Sequence, residues 1–546
     1  MKKILNTIII LAVSLLLSNC IDLDRSPYND LSESTIWTSD ENALMQINGI
    51  YKLTKNGWTM QGYAYHFTCF GPDGYDYFRN SSIELATATT RDGIFQVAYT
   101  DYYRIIHASN EAIYNLTGNT NISEDLRDRM IGEAKFLRGF SYFILWQLYG
   151  GVIILDKPTP PAETYLPRNT EEEVKNFIIG DFKDAADLLP VEYAASERGR
   201  ATKGAAIAML GKTYLYAEQW SNAATEFEKL TKSPFKYALF NEYNKLFDHK
   251  SENNSEYIYA VTFIAQLGYG TAYDSWYGNR SCYINGESYA LGSHIPFETS
   301  TYKDGSTINL SSRPKKSNYS TEESFGDALI QWYADVISSP KQLDKRIGAN
   351  LILPSALYFG NGNKYYKVYW PYESNLDKNP EPLKVTFNNF ATYSWRKFVC
   401  EGDEGYWAYQ GPTDIPLIRY ADVLLMYAEA QNEALAAPDQ SVYDAINDVR
   451  GRAGLDPVSS LSKENMRKAI RLERFHEFPG EGHLFFDVRR WKTAHTSDPV
   501  FGLNGTVYQF TGEKLFTRKF PEKFYKWPIP QAERDLNPNL TQNPGW

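Results

Sequence analysis

The chain has 546 residues, with 56 Lys and Arg against 66 Asp and Glu, so its formal net charge is −10. An acidic chain without a basic stripe does not suit a nucleic-acid-binding protein, because phosphate contacts need Lys and Arg. Hydrophobic residues make up 43% and charged residues 22%, which is typical of ordered globular proteins. We therefore expect either several domains or one long domain built from repeats, and no nucleic-acid partner.

The first twenty residues have the pattern of a bacterial lipoprotein signal. A short positive start precedes an apolar run from Ile8 to Leu17 that is too short for a comfortable transmembrane helix. The segment ends in Leu-Ser-Asn-Cys20 and resembles a lipobox, in which the cysteine becomes the acylated first residue. We predict a signal peptide over 1–19, lipidation of Cys20 and a polar tether over 20–37. The alternative is a secretory signal with an unmodified cysteine.

The remaining cysteines are Cys69, Cys282 and Cys400. Their number is odd, they are far apart, and none belongs to a CxxC motif, so the sequence supports neither a disulfide framework nor a zinc site. We favour buried free thiols over one disulfide with a free thiol. We expect no metal or cofactor; the alternative is a Ca²⁺ site at the acidic run Glu401, Asp403 and Glu404, which we interpret as a solvated loop.

Helical periodicity with start signals recurs along the first half of the chain. Thr38-Ser-Asp-Glu41 and Thr170-Glu-Glu-Glu173 both read as capping boxes before apolar helical patterns. A further helix is predicted over about 126–149, ending at a Gly-Gly pair. The prolines between 157 and 168 predict a loop.

The segment 204–235 fits most key positions of a 34-residue tetratricopeptide repeat. Leu210-Gly211, Tyr214, Ala223 and Phe227 fall at the expected spacing, with small residues where two helices approach and aromatic rings between them. A second helix pair is predicted over 416–452. Such pairs stack as a short solenoid, so we predict a mostly α-helical fold.

The stretch from about 250 to 412 differs, because it is rich in Gly, Ser, Asn and Tyr and mostly lacks helical periodicity. We predict loops, short strands and a few helices here, including one near 325–337, as a loop-rich insertion in the helical frame.

Aromatic residues make up 15% of the chain. Sugar rings present apolar C–H faces on which aromatic side chains stack, and hydroxyls to which polar side chains bond. Three aromatic segments have this mixture, and they supply the candidate ligand-binding residues Tyr273, Trp276, Tyr277, Asn279 and Arg280, then Tyr75, Asp76 and Tyr77, and finally Trp370. Local packing is the alternative role for each aromatic residue.

Enzyme motifs are mostly absent. The chain has no phosphate-binding Gly-rich loop, and Gly286-Glu-Ser-Tyr-Ala290 misses a nucleophile elbow at its last position. His476-Glu477 opens like a zinc-protease motif, but Pro479 breaks the helix that would align the ligands. Glycoside hydrolysis needs only two suitably spaced carboxylates, so sequence alone does not exclude it. We expect a protein that is not an enzyme.

Several blocks occur in a fixed order: Gly132-Glu-Ala-Lys-Phe-Leu-Arg-Gly with the rest of 132–152, then 200–206, 418–429, 446–454, 473–491 and 527–545. Together they resemble the SusD/RagB family of nutrient-binding surface lipoproteins. The blocks themselves are expected to be architectural, with Glu473, Asp487 and Arg490 in structural ion pairs.

The resemblance implies a tetratricopeptide-like fold in an outer-membrane lipoprotein that covers a TonB-dependent β-barrel transporter of the SusC type. It divides the chain into a helical region over 38–250, a loop-rich region with the candidate glycan site over 251–415, and a second helical region over 416–546. The implied function is non-catalytic capture of oligosaccharides at the cell surface. A peptide ligand, or an assembly role without any ligand, remains the alternative.

Overall fold

Helices dominate the computed structural model, which describes residues 36–76, 81–160, 163–266, 268–278, 290–360, 362–370, 381–382, 391–402, 406 and 409–546. These ranges contain sixteen α-helices and eleven short strands. Within them, no helix combines the length and the apolar character that crossing a bilayer requires. The predicted signal peptide, Cys20 and most of the tether lie outside the described residues.

Seven helices come before the loop-rich region. They are α1 (Asp40–Leu53), α2 (Tyr63–Phe70), α3 (Gly93–Leu116), α4 (Glu124–Tyr149), α5 (Glu171–Leu188), α6 (Lys203–Tyr216) and α7 (Trp220–Leu230). The helices α3 to α7 pack in sequence order, each against the next. The helix predicted over 126–149 is confirmed as α4, which begins two residues earlier.

The loop-rich region contains short helices and most of the strands, as predicted. Its helices are α8 (Tyr273–Tyr277), α9 (Ile295–Glu298), α10 (Glu322–Ile337) and α11 (Lys345–Asn350). The helix expected near 325–337 is confirmed as α10. The last helices of the chain are α12 (Tyr420–Ala434), α13 (Gln440–Ala453), α14 (Lys463–Glu477), α15 (His483–Arg490) and α16 (Gln531–Leu536).

Strands are short and form small sheets. They are β1 (Gly74–Asp76), β2 (Tyr257–Val261), β3 (Ala290–Gly292), β4 (Leu351–Ile352), β5 (Leu357–Gly360), β6 (Lys364–Lys367), β7 (Glu381–Pro382), β8 (Ser394–Trp395), β9 (Ile415–Arg419), β10 (Gly505–Tyr508) and β11 (Lys514–Arg518). In the described residues the antiparallel pairs are β1–β3, β2–β9, β4–β8 and β10–β11, and β5–β6–β7 form one three-stranded sheet. These pairs join segments that are distant in sequence, such as β2 and β9.

The predicted tetratricopeptide-like hairpin is confirmed as α6 and α7. A Cβ atom added at Gly211 would lie 2.7 Å from a ring carbon of Phe227, so only glycine allows this close approach. Ala223 and Phe227 are completely buried between the helices. The next helix in the row is α12, which packs on α7, α13 and α14 and so continues the frame across the loop-rich region.

Two local predictions need correction. The helix expected from 416 begins at Tyr420, because the preceding residues form β9, whose side chains are all buried. That apolar run contains Pro416, which offers no amide hydrogen, and its pairing with β2 overrides helical periodicity. The first capping box is also shifted by one residue, since Ser39, not Thr38, caps α1 through the Asn42 amide. The second box, Thr170 with Glu173, is confirmed.

A buried ionic cluster joins the loop-rich region to the frame. The Arg419 guanidinium, at the end of β9, contacts Glu256, lies 3.0 Å from Glu477 and lies 2.8 Å from Glu481. Lys397 bonds Glu481 at 2.9 Å, and Arg346 bonds Glu477 at 2.9 Å. All of these side chains are buried. Burial lowers the pKa of Lys397 to about 8, although the nearby Glu481 carboxylate favours its charged form.

A second buried chain of charges ties α6, α12, α14 and α15 together. Asp422 accepts from Arg474 at 2.7 Å and contacts Lys212 at 3.3 Å, and Arg474 also bonds Asp487 at 2.7 Å. Arg490 then links Asp487 to Glu429. Although burial disfavours the charge of Asp422, Lys212 and Arg474 hold its pKa below the usual value. The expected structural ion pairs of Asp487 and Arg490 are therefore confirmed, as is that of Glu473, which bonds Arg346 at 2.7 Å.

Of the three cysteines, Cys69 and Cys400 are buried free thiols, as expected, and Cys282 lies outside the described residues.

Replacing Arg419 by methionine tests how much the first ionic cluster contributes to the free energy of unfolding. The change leaves three buried carboxylates without their shared cation, and breaking a buried pair in this way costs about 3–5 kcal/mol. We expect a large drop in the midpoint of urea unfolding. The matched control is Arg467→Met on the exposed side of α14, where the partners are Glu433 and Glu464 and the loss is about 1 kcal/mol or less. Equal drops in both variants would contradict a structural role for the cluster.

Candidate functional site

The short helix α8 has one fully buried face and one partly exposed face. Tyr273 and Tyr277 are completely buried and stack on each other with ring centroids 5.1 Å apart. The Tyr273 hydroxyl donates to the Gln61 carbonyl at 2.7 Å and accepts from the Tyr65 amide at 3.2 Å. Trp276 lies on the other side of the helix and is half-buried. Packing of the two tyrosines therefore fixes the position of the tryptophan.

The turn between α1 and α2 is held tightly. Thr59 donates its hydroxyl to the Thr54 carbonyl at 2.8 Å, and the Gln61 amide donates to the same carbonyl at 3.0 Å. A Cβ atom at Gly62 would lie 1.7 Å from the Gly57 carbonyl oxygen, so the chain closes on itself here. This rigid turn presents Trp58 beside the first residues of α2.

His66 locks Trp58 in place. The two rings stack with centroids 3.6 Å apart and an angle of 7° between their planes. The Nε2–H of His66 donates to the Gly57 carbonyl at 2.9 Å. Burial lowers the pKa of His66 to about 3, although its bond to Gly57 opposes the shift. The imidazole is therefore neutral near pH 7.

A second loop carries Tyr409 to the same place. The Gly270 amide donates to the Tyr409 carbonyl at 3.2 Å, and Thr271 and Gly411 exchange two backbone hydrogen bonds of 2.7 and 3.0 Å. A Cβ atom at Gly270 would lie 2.3 Å from the backbone of Gln410, so this contact requires glycine. The Tyr409 side chain is 51% exposed.

We call the set Trp58, Tyr65, His66, Trp276 and Tyr409 the aromatic platform. Tyr65 lies 4.7 Å from Trp276 and 4.8 Å from His66, measured between ring centroids. Tyr409 lies 6.3 Å from Trp276 with its plane at 87°. Tyr65 and Trp276 are tilted by 37°, so the rings form a stepped surface and not a flat one. Such a row offers apolar faces for stacking, with tyrosine hydroxyls beside them.

Asp274 supports the platform from below. Its Oδ1 accepts the Cys400 amide at 2.7 Å, which ties α8 to the segment that leads to Tyr409. Burial raises the pKa of Asp274 to about 7, while the bond from Cys400 opposes the increase. Across the described residues, no group of three His, Cys, Asp or Glu side chains is arranged to hold a metal ion.

The residues predicted in the first aromatic segment differ in their exposure to solvent. Trp276 has an accessible side, whereas Tyr273 and Tyr277 have no exposed surface and serve as its support. Local packing, the alternative considered for these tyrosines, is what the structure shows. Asn279 and Arg280 lie outside the described residues.

The other predicted residues lie away from the platform rings or are not described. Tyr75 is 1% exposed and packs against Phe516 with centroids 5.7 Å apart, so its ring is part of a small core. Asp76 is half-buried at the end of β1, and Tyr77 lies outside the described residues. Trp370 is half-buried, with its ring 6.2 Å from Phe510. The structure does not bring Trp370 or Tyr75 into contact with Trp276.

Four platform residues, Trp58, Tyr65, His66 and Tyr409, are not among the predicted ones. A signal for them exists in the sequence, since Trp58 follows Gly57 and Tyr409 lies two residues before Gly411. Their grouping with Trp276 depends on contacts between residues more than 130 positions apart in the sequence, which local patterns do not reveal.

Comparisons with known proteins agree with this architecture. Residues 255–546 match the model described as the SusD family, and residues 23–215 match a model described as starch-binding associating with outer membrane. The SusD-like protein P25 of Formosa agariphila is 24% identical over 559 residues, covering 95% of this chain and 94% of that protein.

Two solved structures share the fold. A SusD-like carbohydrate binding protein from Bacteroides fragilis has a TM-score of 0.77 and 24% identity, covering 93% of this chain and 100% of that one. Surface glycan-binding protein A from Bacteroides thetaiotaomicron, solved in complex with laminarihexaose, has a TM-score of 0.66 and 18% identity, with coverage of 93% and 100%. Because the family model alone spans more than half of the sequence, the chain belongs to the SusD family.

Proposed function

We propose that this protein captures oligosaccharides at the cell surface through the aromatic platform, without catalysing a reaction. The proposal rests on the tilted, partly exposed rings, which the tight turn before α2, the helix α8 and the loop that carries Tyr409 hold in place. A protein of the same fold is solved with laminarihexaose, and the carbohydrate-binding name of another supports the same ligand class.

The platform favours a neutral glycan over a charged peptide. The His66 imidazole is neutral, and the rings themselves carry no charge. A pyranose needs apolar faces with nearby hydroxyl partners, which Tyr65, Trp276 and Tyr409 supply. A peptide ligand would instead draw on backbone hydrogen bonding and charged pocket walls. The stepped arrangement of the rings suits a bent glycan chain better than a flat one.

The cellular part of the proposal rests on the sequence. Lipidation of Cys20 would anchor the chain to the outer membrane, since more than one acyl chain gives stable anchoring. From there it would deliver the captured oligosaccharide to a SusC-like TonB-dependent β-barrel transporter. The outer-membrane wording of the matched family model supports this location.

Trp276→Ala should weaken glycan binding at least about tenfold, which corresponds to about 1.4 kcal/mol, because the central ring of the platform is lost. Affinity gel electrophoresis against a panel of neutral polysaccharides measures this effect. Tyr409→Ala should act in the same direction, and its exposed side chain contributes little to folding. Trp220→Ala on α7 is the control and should bind normally.

Retardation that survives both platform substitutions would keep the function and overturn the site. The absence of retardation by every polysaccharide would contradict the glycan proposal and favour the peptide ligand. Release of reducing sugar from a retarding glycan, dependent on two carboxylates, would contradict a non-catalytic role.

Asp274→Asn tests whether Asp274 stabilises the fold beneath the platform without taking part in glycan binding. The pKa of the Asp274 carboxyl is raised to about 7 in the folded state. Between about pH 4 and pH 7, the folded chain therefore keeps a proton on Asp274 that the unfolded chain has released. Stability of the wild type should therefore fall as the pH rises through this window. The variant should lose less stability between pH 5 and pH 8 in urea unfolding while keeping glycan binding. An unchanged pH dependence would show that Asp274 is ionised in the fold.

A further inference from the structure

A closed turn between β2 and α8 lies beside the aromatic platform. We call it the tip turn, and it consists of Ile264, Ala265, Gln266, Gly268 and Tyr269. The Ile264 amide closes it by donating to the Tyr269 carbonyl at 3.3 Å. Directly after the tip turn, the Gly270 amide donates to the Tyr409 carbonyl at 3.2 Å. The backbone of the tip turn is therefore adjacent to the loop that carries Tyr409.

The tip turn exposes two large apolar side chains. Tyr269 is 57% exposed and Ile264 is 53% exposed, and the neighbouring Tyr409 is exposed to a similar degree. The residues that flank the tip turn, Phe263 and Gly270, are buried. Large apolar side chains that are exposed as a group mark interaction sites, whereas single ones are ordinary. The accessible surface of the platform therefore continues onto the tip turn.

Both ends of the tip turn are anchored in the protein. On one side the Phe263 amide donates to the Asp414 carboxylate at 2.8 Å, and the Lys55 ammonium lies over the Phe263 ring at 5.0 Å. On the other side Thr271 and Gly411 form an antiparallel bridge. Groups that are held in place before a ligand arrives lose less conformational entropy on binding. The anchored turn can therefore present its exposed side chains at a small entropic cost.

The Tyr269 ring is separate from the platform rings. Neighbouring platform rings contact each other at centroid distances from 3.6 to 6.3 Å. Within the part of the chain that the structure describes, Tyr269 makes no such contact with any platform ring. A sugar unit stacked on Trp276 and a sugar unit stacked on Tyr269 are therefore different units of one chain.

The tip turn and its surroundings are uncharged at the exposed surface. Residues 263–273 contain no charged side chain, and neither do residues 409–413. The side chain of Gln266 is exposed and supplies an amide that both donates and accepts. An exposed ring beside a neutral amide suits the apolar face and the hydroxyls of a sugar. The tip turn is therefore chemically continuous with the platform.

We propose that the tip turn is a second stacking position for the same glycan, with Tyr269 as its ring, so that the protein binds long oligosaccharides more tightly than short ones. This inference rests on the proposed glycan function. A short fragment occupies the platform alone, whereas a longer chain also covers Tyr269 and gains the stacking contact there. The substrate class is accordingly an oligosaccharide of several units, and a disaccharide uses only part of the site.

Calorimetry with a series of fragments tests this proposal. The fragments contain two to eight sugar units and are prepared by partial hydrolysis of the polysaccharide that retards the wild type. Affinity of the wild type should rise with fragment length. Tyr269→Ala should weaken binding of the longest fragments at least about fivefold and leave binding of the shortest binding fragment unchanged. Tyr114→Ala is the matched control, because this tyrosine is 66% exposed on α3, which carries no platform residue.

Trp276→Ala, measured with the same fragments, distinguishes failure of this inference from failure of the glycan function. It should weaken binding of every fragment. If it does so while Tyr269→Ala binds all fragments like the wild type, the second stacking position is overturned and the glycan function stands. Equal losses for short and long fragments in Tyr269→Ala would also overturn it, since the ring would then act as part of the platform. If no polysaccharide retards the wild type, the proposed function fails and this inference fails with it.

Discussion

Arg419 lies where the helical frame meets the loop-rich region, and its ion pairs fix how the two pack together. Its guanidinium meets three carboxylates from separate parts of the chain, Glu256 before β2 and Glu477 and Glu481 near the end of α14. Buried carboxylates stay ionised when nearby cations and hydrogen-bond donors compensate for their lost hydration. The frame and the loop-rich region must therefore meet here with one geometry, and Lys397 and Arg346 extend the same requirement into the loops.

That fixed junction explains how an irregular region can present an ordered surface. The strands β2 and β9 lead from the cluster to the loops that carry Trp276 and Tyr409. The buried rings of Tyr273 and Tyr277 fix α8 against the core. Asp274 accepts the Cys400 amide and so joins α8 to the segment around Cys400. Binding rings that are ordered before the ligand arrives lose less conformational entropy on binding. The positions of the platform rings are thus fixed by the buried residues that pack against α8 and the loop of Tyr409.

Patterns with a local cause could be predicted from the sequence. The hairpin of α6 and α7 follows from small residues at helical spacing, and the Thr170 box follows from a side chain and an amide three residues apart. The strand nature of 416–419 could not be predicted, because it depends on pairing with β2, more than 150 residues earlier. Tertiary packing also limits what the sequence predicts about the site. Trp276 could be predicted as a candidate because it is an aromatic residue in a polar segment. The burial of its neighbours and its contact with Tyr65 could not, because both depend on tertiary packing.

A crystal structure of the protein with an oligosaccharide of the glycan class that retards it would show directly whether the aromatic platform binds glycan. We expect a sugar ring stacked on Trp276, with Tyr65 or Tyr409 within about 4 Å, the contact distance of apolar groups. A well-ordered sugar bound elsewhere, with the platform unoccupied, would contradict it.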